Sequence, residues 1–293
     1  MKKEITGMVV LNYNDYSSTE NLLKIVDTIT SIDVIIVVDN CSSDDSFIQL
    51  KKFVSRKISV IKTEANRGYA AGNNFGIKYA IEKLSVDNLF IANPDIIIDA
   101  TTVERVLEFL ESKPDVGIVS CLMKKADGSI CESAWRLPGL KECVYDSCII
   151  LKHYFKDKWD YEESIEGKKY IPVDVIPGSF FAIKSQVMDS IGYFDERTFL
   201  YYEENILAIK AKENGYKNYL LCNASYVHNH SVTINKNIKS LRKKLRIAYE
   251  SRAIYCREYL NVGKIKELWL FISYIFGSNS YLLAKKILEI VRK

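Results

Sequence analysis

Apolar and polar positions in the first 123 residues alternate between two rhythms. Short unbroken apolar runs, Ile5 to Leu11, Val34 to Val38, Ile58 to Ile61, Leu89 to Ala92 and Gly117 to Leu122, read as buried strands. Between them, apolar residues recur three and four apart, the spacing of amphipathic helices. Ser17 and Glu20 have capping-box spacing ahead of a helix ending near Thr30, Ser46 to Phe53 reads as helical, Asn73 to Lys83 follows a glycine-bearing loop, and Thr101 with Glu104 opens another capped helix. Strands alternating with helices predict an α/β fold, a Rossmann-like and mostly parallel sheet flanked by helices. Beyond it, Asp127-Gly128 signals a turn, and Leu137 to Ile171 mixes aromatics, charges and cysteines with no period, as a variable excursion does.

Composition narrows the class. A chain of 293 residues that is 48% hydrophobic and 12% aromatic buries a sizeable core, which excludes a disordered protein. Met1-Lys2-Lys3-Glu4 leads straight into a strand-like run, too short for a secretory signal or a membrane span, so the expected location is the cytoplasm. Seven cysteines, an odd number without framework spacing, suit a reducing compartment, and Cys143, Cys148 and His153 lack the second ligand pair of a zinc site. The net charge of +4 conceals an asymmetry: from Lys236 onward 14 Lys/Arg face 4 Asp/Glu, a net of +10, leaving −6 for residues 1–235. The expected division is therefore a domain over 1–235, with halves of about 1–123 and 124–235, followed by a helical basic tail over 236–293. Lys236, Lys239, Arg242, Lys243, Lys244 and Arg246, followed by the apolar run from Leu268, suit helices on the anionic inner face of a cell membrane; they suit equally a packed appendage with solvated cations. Nucleic acid is not an expected partner.

The chemistry should lie where strands end. The first run exits into Asn12-Tyr13-Asn14, the second into Asp39-Asn40-Cys41-Ser42-Ser43-Asp44, the third into the loop from Asn66 to Asn74, and the fourth into Asn93-Pro94-Asp95. Open α/β sheets bind ligands at that edge. Asp95 offers a carboxylate for a hard divalent cation, Asp39 one for a base or ribose, Gly68 and Gly72 admit close backbone approach, and a helix start near Asn73 favours phosphate. Each has a plainer reading, since Asn93-Pro94-Asp95 is also turn composition, Asp39 also a cap, and the glycines also a response to positive φ. Their joint placement favours a nucleotide.

These runs, from Val9-Val10-Leu11-Asn12-Tyr13-Asn14 through Asn66 to Asn74 and Asn93-Pro94-Asp95, continue into Pro177-Gly178-Ser179-Phe180-Phe181, Ile191 to Glu196, Tyr202-Glu203-Glu204 and Gly215-Tyr216. The ordered set, over about residues 5–257, resembles the family 2 glycosyltransferases of the GT-A fold, and within them a rhamnosyltransferase-like branch that builds bacterial surface polysaccharides. The resemblance implies an inverting, metal-dependent transfer of a sugar from a nucleotide-sugar donor, dTDP-rhamnose or a UDP-sugar, to a glycan or lipid-linked acceptor. It implies donor binding by Asn12, Tyr13, Asp39, Asn66, Gly68, Asn73, Asn93 and Asp95, with Asn93 and Asp95 at the first and last positions of an Asp-x-Asp motif. Asp95 would coordinate Mg2+ or Mn2+, with His228 nearby and His230 its rival. The base falls in the pair Glu203-Glu204, with Glu204 the choice, because a sugar hydroxyl needs a carboxylate within hydrogen-bond reach as it attacks. Two departures stand out: Glu204 occupies a position usually held by Asp, and Ile206 replaces an acid two residues later. The plainer reading is that both acids favour a helix N-terminus.

Trp135, Trp159 and the stretch from Tyr145 to Tyr170 suit an acceptor surface or simple packing, and Arg252 receives no role. The alternative to an enzyme is a catalytically silent nucleotide-sugar-binding or scaffolding protein with the same fold. A nucleotidylyltransferase is excluded, since Leu11 to Thr19 has no glycine for a triphosphate loop.

Overall fold

Strands β1 (Thr6–Asn12), β2 (Val34–Asp39) and β4 (Asn88–Ala92) form because their apolar runs are buried on both faces, and β3 (Ile58–Lys62), at the sheet edge, buries alternate residues, Ile58 and Val60. The computed structural model describes residues 3–148, 161–229 and 238–291. Successive side chains of a strand point to opposite faces, so the same runs feed two cores. Met8, Val10, Ile35, Val37 and Phe90 enter one, with Leu22, Leu23 and Val26 of α1 (Tyr16–Val26) and Val103 and Val106 of α4 (Ala100–Glu111). Val9, Ile36, Val38, Leu89 and Ile91 enter the other, with Ala70, Ile77 and Ala80 of α3 (Tyr69–Leu84). Each fully buried Ile, Leu or Val contributes about 1.5–3 kcal/mol.

The sheet continues through β5 (Ile96–Ile97), β6 (Val116–Lys124), β7 (Tyr170–Val173), β8 (Phe180–Lys184) and β9 (Lys217–His228). Its order is β3-β2-β1-β4-β8-β6-β9-β5, with β7 also paired to β9. Six of these nine strands run one way, and β8, β5 and β7 oppose them. The order reverses between β1 and β4, and it is at the carboxyl ends of strands at such a switch point that open α/β sheets place their ligands. Asn12 and Asn93-Pro94-Asp95 lie at those ends.

Helix starts depart from the expected positions for local reasons. Asn14 takes φ 51°, so the chain turns into α1 at Tyr16, Ser17 falls inside the helix, and no capping box forms. Glu20 pairs instead with Lys24 at 3.0 Å, and α1 ends at Val26 rather than near Thr30. At α4 the cap is Asp99, whose carboxylate accepts from the Thr102 amide at 2.7 Å. α3 begins at Tyr69, four residues before the expected start, so Asn73 sits one turn inside it. The expected helix at Ser46 splits into α2 (Ser46–Leu50) and a 3-10 turn, Lys51–Phe53.

After α5 (Leu140–Asp146), α6 (Ser185–Ser190) and α7 (Glu203–Glu213), the chain ends in α8 (Leu241–Ile254), a π turn (Tyr255–Tyr259) and α9 (Lys264–Val291). The expected boundary at 235, together with Lys236, lies outside the described residues. The C-terminal helices buttress the body. A third core joins Cys143 of α5, Tyr202 and Ile206 around the start of α7, and Ala253, Tyr255, Cys256 and Leu270 of those helices. Gly277 lets α9 approach α5 closely, since a Cβ there would lie 2.1 Å from the Ser147 carbonyl oxygen.

Candidate active site

The β1 and β2 exits are tied together. Asp39, fully buried, accepts from Asn12 Nδ2 at 3.0 Å and the Ser42 amide at 2.9 Å, while Lys62 Nζ stands 3.9 Å away. Thr19 donates to Asn12 Oδ1 at 2.9 Å, and Asn14 Oδ1 accepts from the Ser43 amide at 2.8 Å. Both Asp39 oxygens thus carry hydrogen bonds inside the protein, where they hold the rim rigid. Tyr13 is half-buried on it.

The glycine loop is fixed by amides. Asn40 Nδ2 donates to Asn66 Oδ1 and to the Gly68 carbonyl, both at 3.1 Å, and Asn66 Oδ1 also accepts from the Gly68 amide at 2.9 Å. Gly68 takes φ 98°, and any Cβ would meet the Phe199 carbonyl oxygen at 2.1 Å, so only glycine fits at the head of α3. Asn73 is buried and donates to the Tyr69 carbonyl at 3.0 Å; its Oδ1 has no hydrogen-bond partner among the described residues. Asn74 braces the Phe194 turn, accepting from its amide at 3.0 Å and donating to its carbonyl at 2.9 Å.

Asp95 and His228 come together across strands. The β5–β9 pairing sets Ile96 opposite His228, and the Asn229 amide donates to the Asp95 carbonyl at 3.1 Å. Asp95 Oδ1 and His228 Nε2 are 3.2 Å apart, both side chains nearly buried. The Asn93 amide donates to the Ser179 carbonyl at 2.8 Å, which joins this pair to the start of β8.

Tyr201 and Tyr202 both adopt left-handed backbone, φ 70° and 67°, which is rare for bulky side chains and marks a constrained turn. That turn delivers Glu203 and Glu204 at the head of α7. Glu204 packs against Gly178, where a built Cβ would lie 3.4 Å from its Oε1, and Tyr69 Oη donates to the Gly178 carbonyl at 2.6 Å. Loss of surrounding water pushes the Glu204 carboxyl up, although backbone amides counter the rise. Glu203 is 4% exposed, and burial, then the charge of Glu204, raises its carboxyl well above the ordinary range. Its Oε2 has no hydrogen-bond partner among the described residues. Tyr69 is raised as well, first by burial and then by these two acids.

A buried carboxyl raised in the native state holds a proton that the unfolded chain releases near 4.5, so stability falls as pH climbs above that value. Glu203→Gln is therefore expected to melt about 2–4 °C above the native protein at pH 8, with the gap closing towards pH 4. Melting curves across that range test it, and a gap independent of pH would mean that Glu203 is ionised.

The segment Pro177-Gly178-Ser179 touches both stations, with Gly178 against Glu204 and Ser179 bonded to Asn93. Sequence reasoning gave no role to Tyr69, Asn40 or Ser42, and left Trp135 between an acceptor surface and simple packing. Trp135 Nε1 donates to Asn205 Oδ1 of α7 at 2.8 Å, and no spacing of residues signals that contact. Ile206 is fully buried in the third core and takes no part in the site. Arg252 donates from Nε to Tyr202 Oη at 2.8 Å and from Nη1 to Ser147 Oγ, bracing the left-handed turn from behind. His230, Trp159 and His153 lie outside the described residues, as do residues 149–160 of the stretch from Tyr145 to Tyr170.

Among the described residues, no group of three or more His, Cys, Asp or Glu converges as a self-sufficient metal cage. Asp95 and His228 nevertheless present a carboxylate oxygen and an imidazole nitrogen in contact. Mg2+ is commonly held by one or two carboxylates plus substrate phosphates, so this sparse pair fits a cation that arrives with a diphosphate.

Comparisons with known proteins place the chain in a family and a fold. The glycosyl transferase family 2 model matches residues 8–192. The low-salt glycan biosynthesis hexosyltransferase Agl10 of Haloferax volcanii is 27% identical over 209 residues, which cover 70% of this chain but only 61% of that relative's length. The N-acetylglucosaminyl-diphospho-decaprenol L-rhamnosyltransferase of Mycobacterium tuberculosis is 23% identical over 235 residues, 77% of this chain and 76% of that one. Among solved structures, the mannosyltransferase PcManGT of Pyrobaculum calidifontis, in complex with GDP-Man and Mn2+, superposes with a TM-score of 0.61 at 14% identity, covering 97% of this chain and 76% of that one. At such low identity the likeness is one of fold, a GT-A-like α/β architecture. The family match spans more than half of the chain and takes in the β1, β2 and β4 exits and the glycine loop, so this protein belongs to glycosyl transferase family 2 and is a glycosyltransferase.

Proposed function

We propose that the chain is an inverting, metal-dependent glycosyltransferase that moves a sugar from a nucleotide donor, dTDP-rhamnose or a UDP-sugar, to a glycan or lipid-linked acceptor in surface polysaccharide synthesis. The observation that carries this reading is the single segment Pro177-Gly178-Ser179, which links a carboxylate raised by desolvation on one side to the Asp95–His228 station on the other. The decaprenol-linked substrate in the name of one relative supports a lipid-linked acceptor.

In this reading Tyr13 and Asn66 line the rim that receives the base and ribose, Asn12 and Asp39 hold that rim in place from beneath, and the positive end of α3, with Asn73 one turn inside it, favours the diphosphate. Asp95 and His228 would hold Mg2+ or Mn2+, which when bound offsets the negative charge gathering on the leaving diphosphate. Glu204 accepts the proton of the acceptor hydroxyl as its oxygen bonds to the anomeric carbon and the bond from that carbon to the phosphate oxygen breaks. Attack from the face opposite the diphosphate inverts that carbon. Glu203, kept neutral by burial, leaves Glu204 as the ionised member of the pair. Tyr69 holds Gly178 and so keeps the strand entry aligned with the base.

A thermal-shift screen of UDP-sugars, dTDP-rhamnose and GDP-sugars, with and without Mn2+, tests the reading. A donor at about 100 times its Kd stabilises by about 2.7 kcal/mol, several degrees in Tm. One nucleotide class should act, and more strongly with Mn2+. No shift from any of them would remove the donor site.

A further inference from the structure

We infer that the outward face of α9, edged by cations of α8, is a docking surface for an anionic phospholipid membrane. On most surface helices the apolar stripe faces the core, but α9 also presents one to solvent. Ile265, Leu268, Trp269, Ile272, Phe276 and Leu283 recur at three- and four-residue spacing and are all exposed, Trp269 at 63% and Phe276 at 61%. The helix meets the body through different positions: Leu270 enters the third core, Ser273 Oγ donates to the Val144 carbonyl at 2.7 Å, and Gly277 abuts Ser147. The stripe is therefore surplus to the packing of α9, and a contiguous exposed apolar strip of this kind marks an interaction surface.

Charge names the occupant. A shallow groove between α8 and α9 is lined by Arg242, Lys243 and Arg246, and its wall residues Ile275 and Asn279 also border the apolar stripe. Arg246 pairs with Glu250 along α8 at 2.7 Å, which leaves Arg242 and Lys243 as the excess charge of the groove; between residues 259 and 285 the sequence has one acid, Glu267, and Arg257 pairs with it at 3.2 Å. An apolar stripe beside cations complements a layer with acyl chains beneath anionic headgroups. A second copy of the chain would bring the same net-positive face to both sides of the contact, so it fits less well. No helix of the described residues is long and apolar enough to cross a membrane, so α9 would lie in the interface plane.

Vesicle co-sedimentation of the full chain tests this without donor or acceptor, so its outcome is separate from that of the donor screen. The chain should sediment with phosphatidylcholine vesicles containing about 30% phosphatidylglycerol, lose most of that binding at about 0.5 M salt, and ignore pure phosphatidylcholine. Trp269→Glu with Phe276→Glu should cut the bound fraction by about tenfold or more at unchanged Tm, because both side chains are already in water. Arg242→Glu with Lys243→Glu should weaken binding while leaving the apolar stripe intact. Absence of binding to anionic vesicles, equal binding by the variants, or a dimer in sedimentation velocity that Phe276→Glu dissociates would each overturn the proposal.

Discussion

Glu204→Gln should lower kcat by about 10²–10⁴-fold, the usual worth of a positioned general base, with donor affinity and Tm little changed. The amide keeps the shape of the side chain beside Gly178 but cannot take a proton. Glu204→Asp should lie between the two, since drawing a carboxylate back by about 1 Å can cost about 100-fold. The pH dependence has a definite sign. The base works ionised, and loss of water raises its carboxyl, so activity should fall on acidification along a limb lying above the ordinary glutamate value of 4.5. Steady-state transfer assays from pH 5 to 9, with the donor that the thermal screen selects, would measure both effects. Full activity in the glutamine variant would assign the base elsewhere.

Asp95→Ala should cost about 10²–10³-fold in transfer, comparable with removing one preorganised electrostatic contact to a developing anion. The fold should survive, because strand β5 is held through the Asp95 carbonyl and the Ile96–His228 register rather than through the carboxylate. The diagnostic is the increment of thermal shift that Mn2+ adds to the nucleotide. Asp95→Ala should abolish that increment and retain the nucleotide-only part, while His228→Ala should reduce it. An increment that persists in Asp95→Ala would place the cation, and with it the electrostatic assistance to the leaving group, away from this strand pair.

Much of the polar rim at the strand ends is legible in the sequence. Continuous apolar runs of this length form strands buried on both faces, so the polar residues that end them gather at one rim, and Asn12, Asp39 and Asn93-Pro94-Asp95 do. The helix starts are less legible. Capping spacing at Ser17 and Thr101 is outcompeted by the positive φ of Asn14 and by the carboxylate of Asp99. Asn73 similarly belongs inside α3, because Gly68 supplies the turn that starts the helix at Tyr69.

The basic tail shows the same division. Its charge and amphipathic repeats are plain in the sequence, but its grip on the rest of the molecule is not. Ser251 Oγ donates to the Leu200 carbonyl at 2.8 Å, Tyr259 Oη to Asp195 at 2.7 Å, and Arg252 to Tyr202 at 2.8 Å, so the last helices clamp the turn that presents Glu203 and Glu204.

Periodicity, strand-end chemistry and an ordered set of motifs determined from sequence alone that this is an α/β glycosyltransferase of family 2. Those signals are local, carried by residues a few positions apart. Only the tertiary structure decided that Asp95 meets His228 across 133 positions, that Tyr69 holds Gly178 across 109, and that Glu203 is buried while Glu204 keeps contact with the cleft segment. Desolvation, strand register and backbone strain depend on what the rest of the chain packs around a residue, which no window of sequence contains.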